Sequence, residues 1–166
     1  MNFVGLTYRC IVLVVVLYCA GIASSQINPT VKASDDIAVV VNAANINDSL
    51  SVEDLRKILL GERRFWKGNV QVSLVLRQEG AWERDRVLAV LLRMTDADFA
   101  RHWQAKIFRG EATGPPLAVP SNGMATEYVA DTPGAISFIV GKNLRADLKV
   151  LRINGKLPGE AGYPLK

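Results

Sequence analysis

The sequence predicts an α/β fold in which helices flank a mixed or largely parallel sheet. Three observations predict it. Short apolar runs rich in β-branched residues alternate along the chain with stretches of helical periodicity. Two of those runs, IAVVVN and AISFIV, are continuously apolar, the pattern of strands buried on both faces. No internal repeat, low-complexity tract or composition shift divides residues 37–166, which are read as one domain.

The N-terminus reads as an export signal. Arg9 is the only charge ahead of the apolar run 11–17, and Ala20, Gly21, Ala23, Ser24 and Ser25 follow. A basic start, an apolar core and a small-residue cleavage zone are the layout of a secretory signal peptide, residues 1–25 here. Cleavage after Ser25 or after Ala23 fits. The run is shorter than the roughly 20 residues a membrane-spanning helix needs, so an uncleaved anchor is the weaker alternative. Lipid attachment at Cys19 is weaker still, because Tyr18 is bulky where such sites want a small residue. The expected location is periplasmic or secreted. Both cysteines, Cys10 and Cys19, fall within the signal, so the exported chain has no disulfide framework, thiol nucleophile or cysteine metal site. Roughly 140 residues must then be held by their core alone, a length that buries about two thirds of the chain's surface.

The elements follow in order. Residues 26–36, polar and containing Pro29, read as a mobile leader, and Ile37–Asn42 as a buried strand. Residues 42–49 read as a polar loop. Ser51 with Asp54 three residues on approximates a capping box, and Leu55, Ile58 and Leu59 then share one helical face. Gly61 ends that helix through a left-handed cap. Residues 70–76 (VQVSLVL) alternate in part and read as a second strand. Gly80 opens a helix to about Met94. Thr95 caps the next one, with Asp96 and Asp98 in the first turn, where the helix dipole favours acids. Gly114, Pro115, Pro116 and Pro120 hold residues 110–120 as a loop. Ser121 or Asn122 caps a short helix ending near Asp131. Pro133 and Gly134 turn the chain into the strand Ala135–Val140. Residues 148–153 form the last strand.

Charge and titratable groups limit the function. Lys plus Arg number 20 against 16 Asp plus Glu, a net charge of +4. That suits anionic ligands or surfaces, and it is too small and too evenly spread for nucleic acid. Arg63 and Arg64 read as a solvated loop. His102 is the only histidine, so it has no second imidazole for a metal set, and beside Trp103 it reads as a helix-boundary residue. Asn47, Asp48 and Ser49 form a glycosylation triplet, meaningful only in a eukaryotic secretory pathway. No arrangement supplies a base, nucleophile, metal or cofactor, and the chain is read as a binding protein and not an enzyme.

Two segments carry a family resemblance. SLSVEDLRKILLGERRFW (residues 49–66) and TPGAISFI (residues 132–139) resemble the second lobe of the phosphate-type substrate-binding proteins of ABC transporters. Leu50, Ser51, Leu55, Ile58, Leu59, Gly61 and Trp66 take the positions of the first motif, and Thr132 to Phe138 those of the second. FARHWQAKIFRGEATGPP (residues 99–116) looks like a short, single-lobe branch of that family, and Tyr163, Pro164 and Leu165 echo a tail motif of the longer relatives. The resemblance implies one lobe of a type 2 periplasmic-binding fold, with the first lobe absent. It makes Trp66 and Trp103 core anchors, and it implies an ABC permease as partner.

It also implies a ligand site. In such folds a strand ends, the chain turns, and a helix starts with free N–H groups that can hold an anion. The family pattern resembles Arg-x-Glu/Asp-Gly-Ser-Gly-Thr-Arg, and Arg77, Glu79, Gly80 and Arg84 match it. The candidate anion site is therefore Arg77, Gly80, Ala81, Trp82 and Arg84. Phosphate is the family ligand, but the clasping Ser-Gly-Thr is replaced by Ala81, Trp82 and Glu83. Two hydroxyl donors are gone. Glu83 at about 4 Å from a phosphate would cost on the order of 4 kcal/mol at an effective dielectric near 20. Trp82 is left as an exposed contact residue. A second reading follows from the single lobe: an interaction or regulatory module that docks a partner protein, or pairs as a homodimer, across the former inter-lobe face.

Overall fold

The computed structural model describes residues 35–166. The expected signal peptide and the expected leader before Asp35 lie outside the described residues. The central sheet has five strands. Strand β1 is Ile37–Asn42, β3 Ser73–Arg77, β4 Leu117–Val119, β5 Ala135–Val140 and β6 Leu148–Val150, in the order β4-β3-β5-β1-β6. Strands β4, β3 and β5 are mutually parallel, whereas β1 runs antiparallel to both β5 and β6. The sheet is therefore mixed, as the sequence predicts. A second, two-stranded piece pairs β2 (Ser49–Leu50) in parallel with β7 (Arg152–Ile153).

Helices cover both faces, which explains the continuously apolar strands. Ile37, Val39 and Val41 of β1, Leu74 and Leu76 of β3, and Ile136 and Phe138 of β5 pack in one core beneath α1 (Val52–Leu59), α2 (Trp82–Val87) and α3 (Asp96–Phe108). The alternate residues Ala38, Val40, Val75, Ala135 and Ile139 pack on the other face against α4 (Asn122–Asp131). All six residues of β1 and all six of β5 are buried.

The predicted caps form. Ser51 Oγ accepts from Asp54 N while Asp54 Oδ2 accepts from Ser51 N, and Thr95 and Asp98 do the same at α3. Gly61 has φ 66°, and a Cβ there would lie 2.7 Å from the Trp103 ring. Trp103 Nε1 donates to Leu59 O at 3.2 Å and His102 Nε2 to Leu60 O at 3.0 Å, so α3 satisfies the free carbonyls at the end of α1. The two motif segments also meet. Trp66 Nε1 donates to Gly134 O at 2.9 Å, and a Cβ on Gly134 would sit 1.9 Å from Gln71 O.

Several elements differ from expectation. The second strand starts at Ser73, because residues 70–72 turn back on the loop: Trp66 N donates to Val70 O and Val72 N to Arg64 O, both at 2.8 Å. The helix after Gly80 is α only to Val87. It widens into a π-helical stretch over Leu88–Leu92 and stops at Arg93, which is left-handed at φ 55°. The loop 110–120 contains β4, an edge strand of three residues hidden between Pro116 and Pro120. The polar loop after β1 ends in β2. The last strand is two: Leu151 N still donates to Val39 O of β1, and the chain then leaves to pair with β2. The tail is ordered against β1. Ile37 N donates to Leu165 O at 2.8 Å, and Tyr163 Oη donates to Ile37 O at 2.7 Å.

Candidate ligand site

Strands β3 and β5 run in the same direction, and their carboxyl ends are where open α/β sheets place ligands. Arg77 is the last residue of β3. The pleat puts it on the face of Val75, and its register partner Val119 is buried in the same α4-side core. Gln78 N donates to Val119 O at 3.0 Å, and Ala81 N to Gln78 O at 3.2 Å, around Gly80 at φ 81°. Gly80 faces open space, since a Cβ there would meet nothing within 4 Å. Ala81 takes the N-cap position of α2 without a side-chain hydrogen bond. Trp82 is 50% exposed, and so is Met124 at 49%, near the start of α4.

The two candidate arginines differ sharply. Arg84 is committed to the scaffold. Its Nε and Nη2 donate to Asp96 Oδ1 at 2.8 and 2.5 Å, its Nη1 donates to Arg77 O at 3.1 Å, and it lies over the Phe99 ring. The pair is 12% and 13% exposed. Arg77, in contrast, has a buried Nε with no partner, and its two terminal nitrogens, which are not buried, pair with no side chain or carbonyl among the described residues. Sequence spacing brings both arginines to one turn, but only Arg77 is available there.

Glu83 is the residue whose placement the sequence did not reveal. It is only 5% exposed. Asn122 Nδ2, at the start of α4, donates to Glu83 Oε1 at 2.9 Å. Oε2 has no partner among the described residues and is not fully buried, so it opens to the surface. Asn122 Oδ1 and Asp96 Oδ2 are buried without partners. Of four such atoms among the described residues, three gather around this strand end and only Ser137 Oγ lies elsewhere. An expectation that buried polar groups are paired makes that grouping informative.

A groove of about 530 Å³ lies at the opposite, amino end of β3 and β4, between Arg63, Phe65, Ser73 and Leu117. None of Arg77, Gly80, Ala81, Trp82 or Arg84 lines it. Its cations are occupied, with Arg63 donating to Asp54 Oδ1 at 2.9 Å and stacked on Trp66, and Arg64 donating to Glu111 O. The strand end is the stronger site on that ground. Asp96 and Asp98 are helix-start acids, as expected. The Thr95 hydroxyl and N–H, with Arg101, hold the Asp98 carboxyl down at about 2. No group of three or more His, Cys, Asp or Glu side chains among the described residues could hold a metal.

No protein-family signature matches the chain. Solved structures do. An ABC-type phosphate transport receptor from Vibrio cholerae matches 75% of the chain at 22% identity and a TM-score of 0.60, with 48% of the receptor covered. PstS from Borrelia burgdorferi matches 82% of the chain at 22% identity and a TM-score of 0.63, with 56% of PstS covered. A phosphate-binding protein from Stenotrophomonas maltophilia matches 75% of the chain at 15% identity and a TM-score of 0.58, with 40% of it covered. The chain has the fold of phosphate-type solute-binding proteins. It spans about half the length of these matches. At such identities the likeness fixes the fold, and the site must be read from this chain's own side chains.

Proposed function

We propose that this chain is an extracytoplasmic, non-catalytic binding protein of the solute-binding type, and that Arg77 receives the acidic group of its ligand. The observation that carries this reading is the unpaired guanidinium of Arg77 at the carboxyl end of β3. A guanidinium with two free N–H faces matches a carboxylate or phosphonate bidentately. The fold and the signal-like N-terminus support export and an ABC permease as partner. Phosphate itself is disfavoured, because Glu83 is fixed beside the site and Arg84 is not free to offset it. The test is a thermal-shift series with phosphate, sulfate, phosphonates and carboxylates. Stabilisation grows as RT ln(1 + [L]/Kd). An anionic solute that raises Tm in the native protein and not in Arg77→Ala supports the reading. Unchanged binding in Arg77→Ala defeats it.

The exposed Trp82 and Met124 favour a second reading, in which the same rim docks a partner protein or a second copy of the chain. Light scattering tests the homodimer. A dimer that Trp82→Ser converts to monomer supports this reading, and a monomer at every concentration removes it.

A further inference from the structure

We infer that the ligand carries an ammonium group as well as an acid, as a small zwitterion does, with the acid on Arg77 and the ammonium on Glu83. This rests on the proposal that Arg77 takes the acid. The sheet pleat places Arg77 on the α4 side, and Glu83 is tied to Asn122, the first residue of α4. Both groups therefore converge on the start of that helix. Glu83 is a nearly buried acid with no cation within salt-bridge reach among the described residues. Such an acid is costly to bury unless a positive partner arrives. Its neighbour in sequence, Arg84, is bound to Asp96 and cannot serve. The Asn122 amide holds Oε1 and leaves Oε2 open to the surface. Arg77 likewise keeps its terminal nitrogens free. A site with one open cation and one open anion repels either simple ion through its other half. It fits a molecule that bears both charges. The exposed indole of Trp82 at the rim adds a π face that attracts an ammonium group.

The test uses two matched pairs of probes on the purified protein by isothermal titration. The first pair is 2-aminoethylphosphonate and ethylphosphonate, and the second is β-alanine and propionate. Within each pair only the amine differs, and between pairs only the acid. The expected result is that at least one amine-bearing compound binds about tenfold or more tighter than its amine-free counterpart, the weight of one charge-assisted hydrogen bond. The pair with the tighter member identifies the acid. Glu83→Gln keeps an oxygen to accept from Asn122, and it is expected to erase the ratio while leaving the amine-free compound bound as well or better. Arg77→Ala is expected to weaken all four. Equal binding within both pairs, lost in Arg77→Ala, overturns the zwitterion inference and leaves the acid on Arg77 standing. A ratio unchanged in Glu83→Gln overturns it too. No binding of any of the four overturns the role of Arg77 and this inference together. The native protein's own ratio decides the matter even if Glu83→Gln fails to fold.

Discussion

The two ends of strand β3 are built on opposite principles. At the amino end, the loop and turn residues that match the family are locked to one another. Trp66 donates to the Gly134 carbonyl, Gly134 has no room for a side chain against Gln71, and Trp103 and His102 cap the end of α1. At the carboxyl end, polar atoms are left unpaired: Arg77 Nε, Asn122 Oδ1 and Asp96 Oδ2. The first end shows what the fold requires. The second shows what is left over for a ligand. Family likeness at the amino end is a matter of scaffold, whereas at the carboxyl end the proposed site combines a matching residue, Arg77, with a departure, Glu83.

The largest effects are expected at the amino end. Trp66→Ala empties a buried site and removes one of the two donors to the Gly134 carbonyl, for a loss of about 3–5 kcal/mol in urea unfolding. Gly134→Ala forces a backbone shift and is expected to cost about 3 kcal/mol or more. If either variant stays within 1 kcal/mol of the native protein, a figure on the order of an ordinary surface change, the amino end is not the rigid half.

The two arginines sharpen the comparison. Arg84→Ala strands Asp96 and is expected to cost about 2–3 kcal/mol of stability, because both groups are largely buried. Arg77→Ala is expected to cost within about 0.5 kcal/mol, since no partner is lost, while ligand binding disappears. Equal stability losses in the two variants would erase the distinction between scaffold and site. Ser137 makes a control. Its hydroxyl is fully buried and unpaired on the α4-side face of β5. Ser137→Ala is expected to be neutral or to add up to about 1 kcal/mol, as removing an unsatisfied polar group does.

Much of this was legible in the sequence. The Ser51–Asp54 capping box, the Thr95 cap, the Gly61 stop and the strands Ile37–Asn42 and Ala135–Val140 follow from local chemistry, which sequence spacing encodes. Strand β4 was not legible, because a three-residue edge strand between prolines has no periodicity of its own and forms only because β3 lies beside it. The break between β6 and β7 has the same origin in a change of partner strand. At the proposed site, the motif points to Arg77 and Gly80, but it puts Arg84 on the same footing. The Arg84–Asp96 pair spans two helices, and no spacing rule connects them. Glu83 read as an obstacle to phosphate, and its bond to Asn122, 39 residues on, was beyond reach.

The smallest expected effect is with acid. Asp98 and Glu111 ordinarily titrate at 3.8 and 4.5, and in the fold both are held at about 2, by Thr95 and by Arg109 first. Folded values below unfolded ones mean that the ionised forms favour the fold. Their contribution is complete above about pH 5 and lost as pH falls from about 4 toward 2. Tm is expected to be flat from pH 7 to 5 and to decline below 4. Asp98→Asn should make that decline shallower, and an unchanged slope would separate these acids from stability.

Amide chemical shifts, mapped while 2-aminoethylphosphonate is titrated into the isotopically labelled protein, test most directly which end of β3 holds the ligand. Perturbations are predicted at Gly80, Trp82, Glu83 and Asn122, with the amides of Gly61, Phe65 and Gln71 unmoved. Shifts that gather instead at Arg64, Phe65 and residues 110–117 would place the ligand in the amino-end groove and contradict the assignment of that end to scaffold.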